Sequence, residues 1–203
     1  MAHKLDLDAV LAVTGTARSE SLDRVLDAAY TCFERQGLAG TTMADIAEEA
    51  GVSRVWVHRV TGNREDLVHL VLARDVEQVF AQLAQGLDPT GDRVATFAKA
   101  VGIVVMHFVA HPLVRSMLAD DPGAVMVGVV DGRFVSAMVD RVAVGMTLVG
   151  GLDPEVLMPI AEVVTRLGVS LVVSPRPGES AESIAELIES VFRPVFERTF
   201  NQP

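Results

Sequence analysis

The chain has 203 residues, half of them hydrophobic and 22% charged, and a net charge of −10 at pH 7. That length and apolar content allow a sizeable core, in one large domain or in a small domain followed by a larger one, and exclude a disordered chain. The acidic balance excludes a general nucleic-acid coat protein, and the single cysteine, Cys32, excludes an intrachain disulfide and suits a reducing compartment.

Residues 1–18 contain acids and lack the basic-then-apolar order of a signal peptide, so they read as a flexible N-terminal arm and the protein is expected in the cytoplasm. The apolar stretch 100–110 is too short to cross a bilayer. The longer one from Gly123 is interrupted by Asp131, Arg133, Asp140 and Arg141, so no membrane partner is expected. Leu22, Val25, Leu26, Ala29 and Phe33 recur at helical spacing and predict a first helix that Gly37 or Gly40 ends. Cys32 lies beside Phe33 and reads as a small packing residue.

Residues 41–64 scan as two short helices joined by a tight turn, then the start of another. Thr42 can cap the first, with Asp45 in a capping-box position, and Ile46, Ala47 and Ala50 form its narrow apolar stripe. Gly51 stands where the chain must turn sharply with positive φ, which glycine tolerates at least cost. Ser53 can cap a second helix carrying Arg54, His58 and Arg59. This is a helix-turn-helix pattern, whose second helix is the part that enters the DNA major groove. Between Arg18 and Asp66 acids outnumber arginines nine to six, yet Gly51–Arg64 holds three arginines and no acid. The positive charge is concentrated where phosphate would be met.

Asn63 can cap a fourth helix, with Glu65 and Asp66 in its first turn where the helix dipole favours them. It runs to about Gly86, and the Gly-Leu-Asp-Pro-Thr-Gly run at 86–91 breaks it. Phe97, Val101, Val104, Val105 and Phe108 predict a helix stopped by His111-Pro112. A short helix over 113–118 and a longer one over 126–150 follow. Two more complete the chain: one over 154–173, opened by Asp153-Pro154, and one over 181–200, where Ser183 and Glu186 are expected to form a capping box. Pro159 and Pro194 are expected to kink or weaken these last two helices. No alternating strand run and no repeat occurs, so the fold class is all-α.

Residues 22–70 resemble the DNA-binding domain of the TetR-type (tetracycline-repressor) transcriptional regulators. The resemblance rests on Val25-Leu26-Asp27-Ala28-Ala29, Phe33, Gly37, Thr41-Thr42, Asp45-Ile46-Ala47, Ala50-Gly51-Val52-Ser53, Arg59 and Asn63-Arg64-Glu65-Asp66-Leu67. It implies an N-terminal three-helix helix-turn-helix domain over 19–66 and a larger helical ligand-binding and dimerisation domain over 67–203. Three residues depart from the family's pattern. His58 replaces a tyrosine that contacts phosphate, Thr61 replaces an aromatic that plugs the small core, and Trp56 stands where a small polar residue is usual.

On a helix from Ser53, Val57 and Val60 share one face with it, while Arg54, Val55, His58 and Arg59 lie on the other. Arg54 or Arg59 could take a guanine edge bidentately, and Val55 could touch a thymine methyl. The alternative for either arginine is a phosphate contact only. Trp56 lies at the boundary of the faces and could fill space left by Thr61 instead of touching DNA. Thr42, at a helix N-terminus, and Arg64 are phosphate candidates. The candidate DNA-binding residues are thus Thr42, Ser53, Arg54, Val55, Trp56, His58, Arg59 and Arg64.

His107 and His111 have the i,i+4 spacing of a shared metal, with a third ligand to come from His69, Asp120 or Asp121, but a helix terminus with a buried or cleft-lining imidazole is the preferred reading. No nucleophile–base set, phosphate loop or dinucleotide fingerprint occurs, so neither an enzyme nor a cofactor is expected. The resemblance implies a small-molecule effector, for which Phe97, Val101, Val105, Phe108, Met117, Phe134 and Met138 could line an apolar pocket. It further implies a homodimer formed through 154–173 and 181–200 that binds a palindromic operator in double-stranded DNA and, as a repressor, is released by the effector. The rival reading is a helical carrier of apolar ligands that no longer binds DNA.

Overall fold

A computed structural model of the protein describes residues 20–86, 91–120, 135–136, 138–143 and 154–200. The N-terminal arm, Phe134, Asp121 and Asp153, and most of the helix expected over 126–150, lie outside the described residues. All regular structure among the described residues is helical. The elements are α1 (Glu20–Gly40), α2 (Met43–Glu49), α3 (Arg54–Thr61), α4 (Arg64–Gly86), α5 (Arg93–Ala110), α6 (Pro112–Asp120), α7 (Pro154–Val173) and α8 (Ala181–Phe200). Residues 135–136 and 138–143 are also helical. The all-α expectation holds. Two compact units divide the chain, and the first is not continuous in sequence: its described residues are 20–78 and 111–120.

The first unit is built on α1, whose apolar positions are spaced to bury one face. Leu22, Val25, Leu26, Ala29, Cys32 and Phe33 all lie inside, with Ile46 and Ala47 from α2, Val57 from α3, Leu67 and Val71 from α4, and Leu113 from α6. Cys32 is fully buried, and that burial pushes its thiol pKa up, as suits a packing residue. α1 kinks at Gly37 (φ 71) before ending at Gly40.

The kink exposes backbone groups, and side chains from distant elements satisfy them. The Leu38 N–H donates to Ser116 Oγ at 2.5 Å and the Ala39 N–H to Asp120 Oδ2 at 3.2 Å, both on α6. The Thr41 hydroxyl donates to the Gly37 carbonyl at 2.7 Å, and the Arg64 guanidinium to the Leu38 carbonyl. Each amide would otherwise carry the cost of a lost hydrogen bond, about 1 kcal/mol or more. α6 therefore belongs to the unit that holds the helix-turn-helix, although about fifty residues separate them in sequence.

Beneath this contact lies a buried polar cluster. His111 Nε2 donates to Asp75 Oδ2, and His111 Nδ1 accepts from the Leu113 N–H at 3.2 Å, which caps the start of α6. Tyr30 meets the His111 ring edge-on at 5.4 Å between centroids. Burial, then the Asp75 charge, raises the Tyr30 phenol pKa. Arg74, itself buried, donates to Asp27 Oδ1 at 2.6 Å and to the Asp23 carbonyl at 3.3 Å.

The second unit is centred on α5, with α7 and α8 packed against it. Phe97, Val101 and Val105 of α5 share a core with Val135 and Val139, with Leu157, Ala161 and Val164 of α7, and with Ile184, Ile188 and Phe196 of α8. A Cβ on Gly102 would run into the Ala181 carbonyl, so glycine sets how closely α8 begins against α5. At the other end Asp92 caps α5, accepting the Val94 and Ala95 N–H groups at 2.9 and 3.1 Å, and takes Arg193 of α8 at 2.7 Å.

The cap of α8 differs from the expected Ser183–Glu186 box. The helix begins at Ala181, two residues earlier, so Ser183 sits inside its first turn. Ser180 Oγ accepts the Ser183 N–H at 3.2 Å, and Ser183 Oγ accepts the Ser180 N–H at 2.9 Å. A hydroxyl thus does what a Glu does in the usual box. Pro159 and Pro194 both stay inside their helices. α5 begins seven residues before the 100–110 stretch judged too short to span a bilayer, and as an 18-residue helix it has the length and apolarity to do so. Its inward side is instead spent on this core.

Candidate nucleic-acid interface

The geometry of α2, the turn and α3 follows from three caps. Thr42 Oγ1 accepts the Asp45 N–H at 3.2 Å, and Asp45 Oδ2 accepts the Thr42 N–H at 2.8 Å, closing the expected capping box. The Thr42 N–H, and then the Thr42 hydroxyl, which donates to the same Oδ2 at 2.9 Å, hold the Asp45 carboxyl below the usual range. Gly51 has φ 65, as the turn required. The Val52 N–H then donates to the Ala47 carbonyl at 3.0 Å, folding α3 back across α2. Ser53 opens α3, its Oγ accepting the Trp56 N–H at 3.1 Å. Asn63 and Asp66 cap α4 reciprocally, at 3.0 and 2.9 Å.

α3 divides as its periodicity predicted, except that Ser53, expected on the inner face, is exposed at the helix end. Val57 is fully buried and Val60 half-buried, while Arg54, Val55, His58 and Arg59 are exposed, Val55 to 78%. Thr61 is buried, and its hydroxyl donates to the Val57 carbonyl at 2.8 Å, so a polar side chain sits in this core without an unmet bond. Trp56 is half-buried and lies outside the hydrophobic core cluster. Its ring carries the Arg59 guanidinium, 3.7 Å from the centroid, in a cation–π stack.

The remaining candidates are tied more closely to the fold. Thr42 is exposed, but its N–H and hydroxyl both go to Asp45. Arg64 is half-buried and gives an N–H to the Leu38 carbonyl. His58 Nδ1 lies 3.1 Å from the Gly62 carbonyl, and the Gly62 N–H donates to the His58 carbonyl at 3.0 Å. Gly62 has φ 76, and a Cβ there would strike the Asp66 carboxylate, so conformation and space both demand glycine at this corner.

The seven candidate pocket residues do not form one group. Phe97, Val101 and Val105 lie together in the core of the second unit, where Phe97 meets Phe196 edge-on at 5.7 Å between centroids. Phe108 and Met138 are buried. Met117 packs in the first unit's core, with Leu113. His107 and His111 fall in different units, and both ring nitrogens of His111 are engaged. Among the described residues no three His, Cys, Asp or Glu side chains gather as a metal site. Sequence reasoning missed Asp75, Ser116 and Asp120 as supports of the motif. None has a local signal, since each acts on a residue at least 36 positions away.

A family model described as bacterial regulatory proteins, tetR family, matches residues 25–71. No curated protein matches the sequence. Among solved structures, the TetR family repressor AlkX from Dietzia sp. strain DQ12-45-1b, implicated in biodegradation of n-alkanes, superposes with a TM-score of 0.69 at 18% identity over 90% of this chain and 98% of its own. RolR without ligand gives 0.60 at 18% identity, over 83% and 89%. The fatty acid degradation regulator FadR from Bacillus halodurans gives 0.53 at 13% identity, over 87% and 96%. At such identities the likeness is one of fold. It extends along most of the chain, while the match that carries the family lies on the helix-turn-helix and the supporting part of α4. Residues 25–71 thus carry a DNA-binding domain of the tetR family of bacterial regulatory proteins, and the chain as a whole shares the fold of TetR-family repressors.

Proposed function

We propose that the chain is a cytoplasmic, ligand-responsive repressor that binds a palindromic operator as a homodimer and leaves it when an apolar small molecule binds. The observation that carries the reading is the outward face of α3, where Arg54, Val55, His58 and Arg59 stand exposed on a strip without an acid. In this reading residues 19–66 engage DNA, and residues 67–203 bind the effector and dimerise.

α3 enters the major groove with its N-terminal residues at the base edges. Arg54 takes a guanine edge and Val55 a thymine methyl. Arg59 approaches with its guanidinium already stacked on Trp56, so less freedom is lost when it docks. Ser53, Thr42 and Arg64 bring the helix ends of the motif to the phosphates. The dimer reading is supported by Met158 and Val163 on α7 and Val191 and Val195 on α8, all exposed in the single chain. Two-fold pairing through these helices presents two copies of α3 to two half-sites.

The effector reading is supported by the apolar composition of the second unit's core and by proteins of the same fold. AlkX is implicated in n-alkane degradation, FadR in fatty acid degradation, and RolR has been seen in complex with resorcinol. An effector that turns occupancy from nearly full to nearly empty must prefer the DNA-free state by about 5.5 kcal/mol.

Footprinting on genomic fragments at two salt concentrations tests the proposal. It expects a protected palindrome whose affinity falls steeply with salt, and loss of protection in Arg54→Ala plus Arg59→Ala with helicity unchanged. An apolar ligand bound without any protected site would point to a carrier instead.

A further inference from the structure

His58 is exposed on the outward face of α3, and among the described residues its ring is bonded at one nitrogen, Nδ1. A carbonyl oxygen can only accept, so the 3.1 Å contact from Nδ1 to the Gly62 carbonyl places a proton on Nδ1. A neutral imidazole carries one N–H, and here it is spent inside the protein. Nε2 then presents a lone pair, while phosphate oxygens offer only acceptors. The neutral ring therefore has no hydrogen to give a phosphate, and the imidazolium has one, on Nε2. The Nδ1 bond is the same in both states, so taking up the second proton needs no rearrangement of the helix.

The charges around the ring are these. His58 lies in the last turn of α3. The charged groups nearest in the chain are Arg54 and Arg59 on α3 and Arg64, Glu65 and Asp66 at the start of α4. Of these acids, Asp66 is held by the Asn63 N–H at 2.9 Å. On the helices packed against α3, Asp45 is held by Thr42 and Glu49 by Arg35 at 2.9 Å, with Glu48 exposed on α2. An approaching phosphate brings a negative charge to this face, which a protonated ring meets and a neutral ring does not.

We infer that DNA binding by this protein is proton-linked through His58, whose Nε2 takes up a proton as the ring is set against a backbone phosphate. The inference rests on the reading of α3 as the DNA-facing element. Affinity then rises as pH falls through the range in which imidazoles titrate. Part of the sequence-independent attraction is thus supplied only in acid.

The test uses a mixed-sequence duplex of about 30 base pairs, since a phosphate contact operates without the operator. The full-length wild type, His58→Gln and His58→Lys are titrated with it by fluorescence anisotropy from about pH 8 to about pH 5.5 at fixed salt. The wild type is expected to tighten by roughly tenfold per subunit beyond any tightening in His58→Gln. Its log–log salt slope should steepen by about 0.9 per subunit over the same range. His58→Lys should bind at the alkaline end as tightly as the wild type does in acid. Parallel pH profiles for the wild type and His58→Gln would overturn the inference. So would weaker wild-type binding in acid, the result if the neutral ring accepts from a base amine. Absence of duplex binding by all three proteins at every pH would overturn the DNA-binding reading, and the inference with it.

Discussion

Arg59 and Trp56 are three positions apart, a spacing at which helix side chains meet. The pair was therefore legible in the sequence as neighbours, although what they do to each other was not. Stacking at 3.7 Å leaves the fork of the guanidinium available at its edge while fixing its plane. Trp56→Ala should therefore weaken operator binding several-fold, the loss of a stack worth about 1 kcal/mol, while leaving thermal stability almost unchanged. Anisotropy on the footprinted operator together with a melting curve checks both halves. His111 makes the opposite case. It is buried, and its two nitrogens join Asp75 on α4 to the first turn of α6. His111→Ala removes that cap and leaves a buried carboxylate without its partner, and should cost about 3 kcal/mol in a denaturant titration. Nothing in the residues around His111 identifies Asp75, because the pairing spans 36 positions.

At the scale of elements, capping decided where helices begin. Thr42–Asp45, Ser53 and Asn63 were each readable as caps because the motif's residues sit at fixed offsets. The start of α8 was not readable: Ser180 and Ser183 are both competent, and which one caps depends on how far the chain unwinds before α8 meets Gly102 of α5. Asp92 shows a cap that also ties two helices. Its carboxyl is held low first by the Ala95 N–H and then by Arg193. A carboxyl whose pKa is lower folded than unfolded contributes stability that is present above its unfolded value and is lost as pH falls through the carboxylate range. Asp92→Asn keeps an acceptor for the α5 N–H groups and loses the charge. It should lower the melting temperature slightly at neutral pH and narrow the gap from wild type near pH 3, which melting curves at both pH values will read.

At the scale of the molecule, the compact unit around the helix-turn-helix draws α6 back from beyond α5, so the unit's limits are not those of a continuous segment. Leu113, fully buried there, contributes on the order of 2 kcal/mol to a core that α1 shares with α2, α3 and α4. The exposed valines of α7 and α8 belong to this scale too, because the proposed dimer would bury them. Val191→Glu with Val195→Glu places charge where the proposed dimer buries apolar surface. Sedimentation equilibrium should show a folded monomer, and operator affinity should fall by at least a hundredfold as the second half-site contact is lost. A variant that stays dimeric would move the interface elsewhere.

Whatever rests on neighbours along the chain is written in the residues themselves. The helical periods, the caps of the motif, the positive φ at Gly51, the inward and outward faces of α3 and its acid-free strip all depend on residues within a turn or two of each other. The tertiary structure alone decided that α6 supports the kinked end of α1, that Asp75 and His111 share a buried bond, and that Met117 lies in a different core from Phe97. Those contacts close over tens of residues, and a local pattern records only that a side chain is apolar or can accept a hydrogen bond. Its partner is chosen by which helices pack together, and that choice is made by the whole set of buried faces at once.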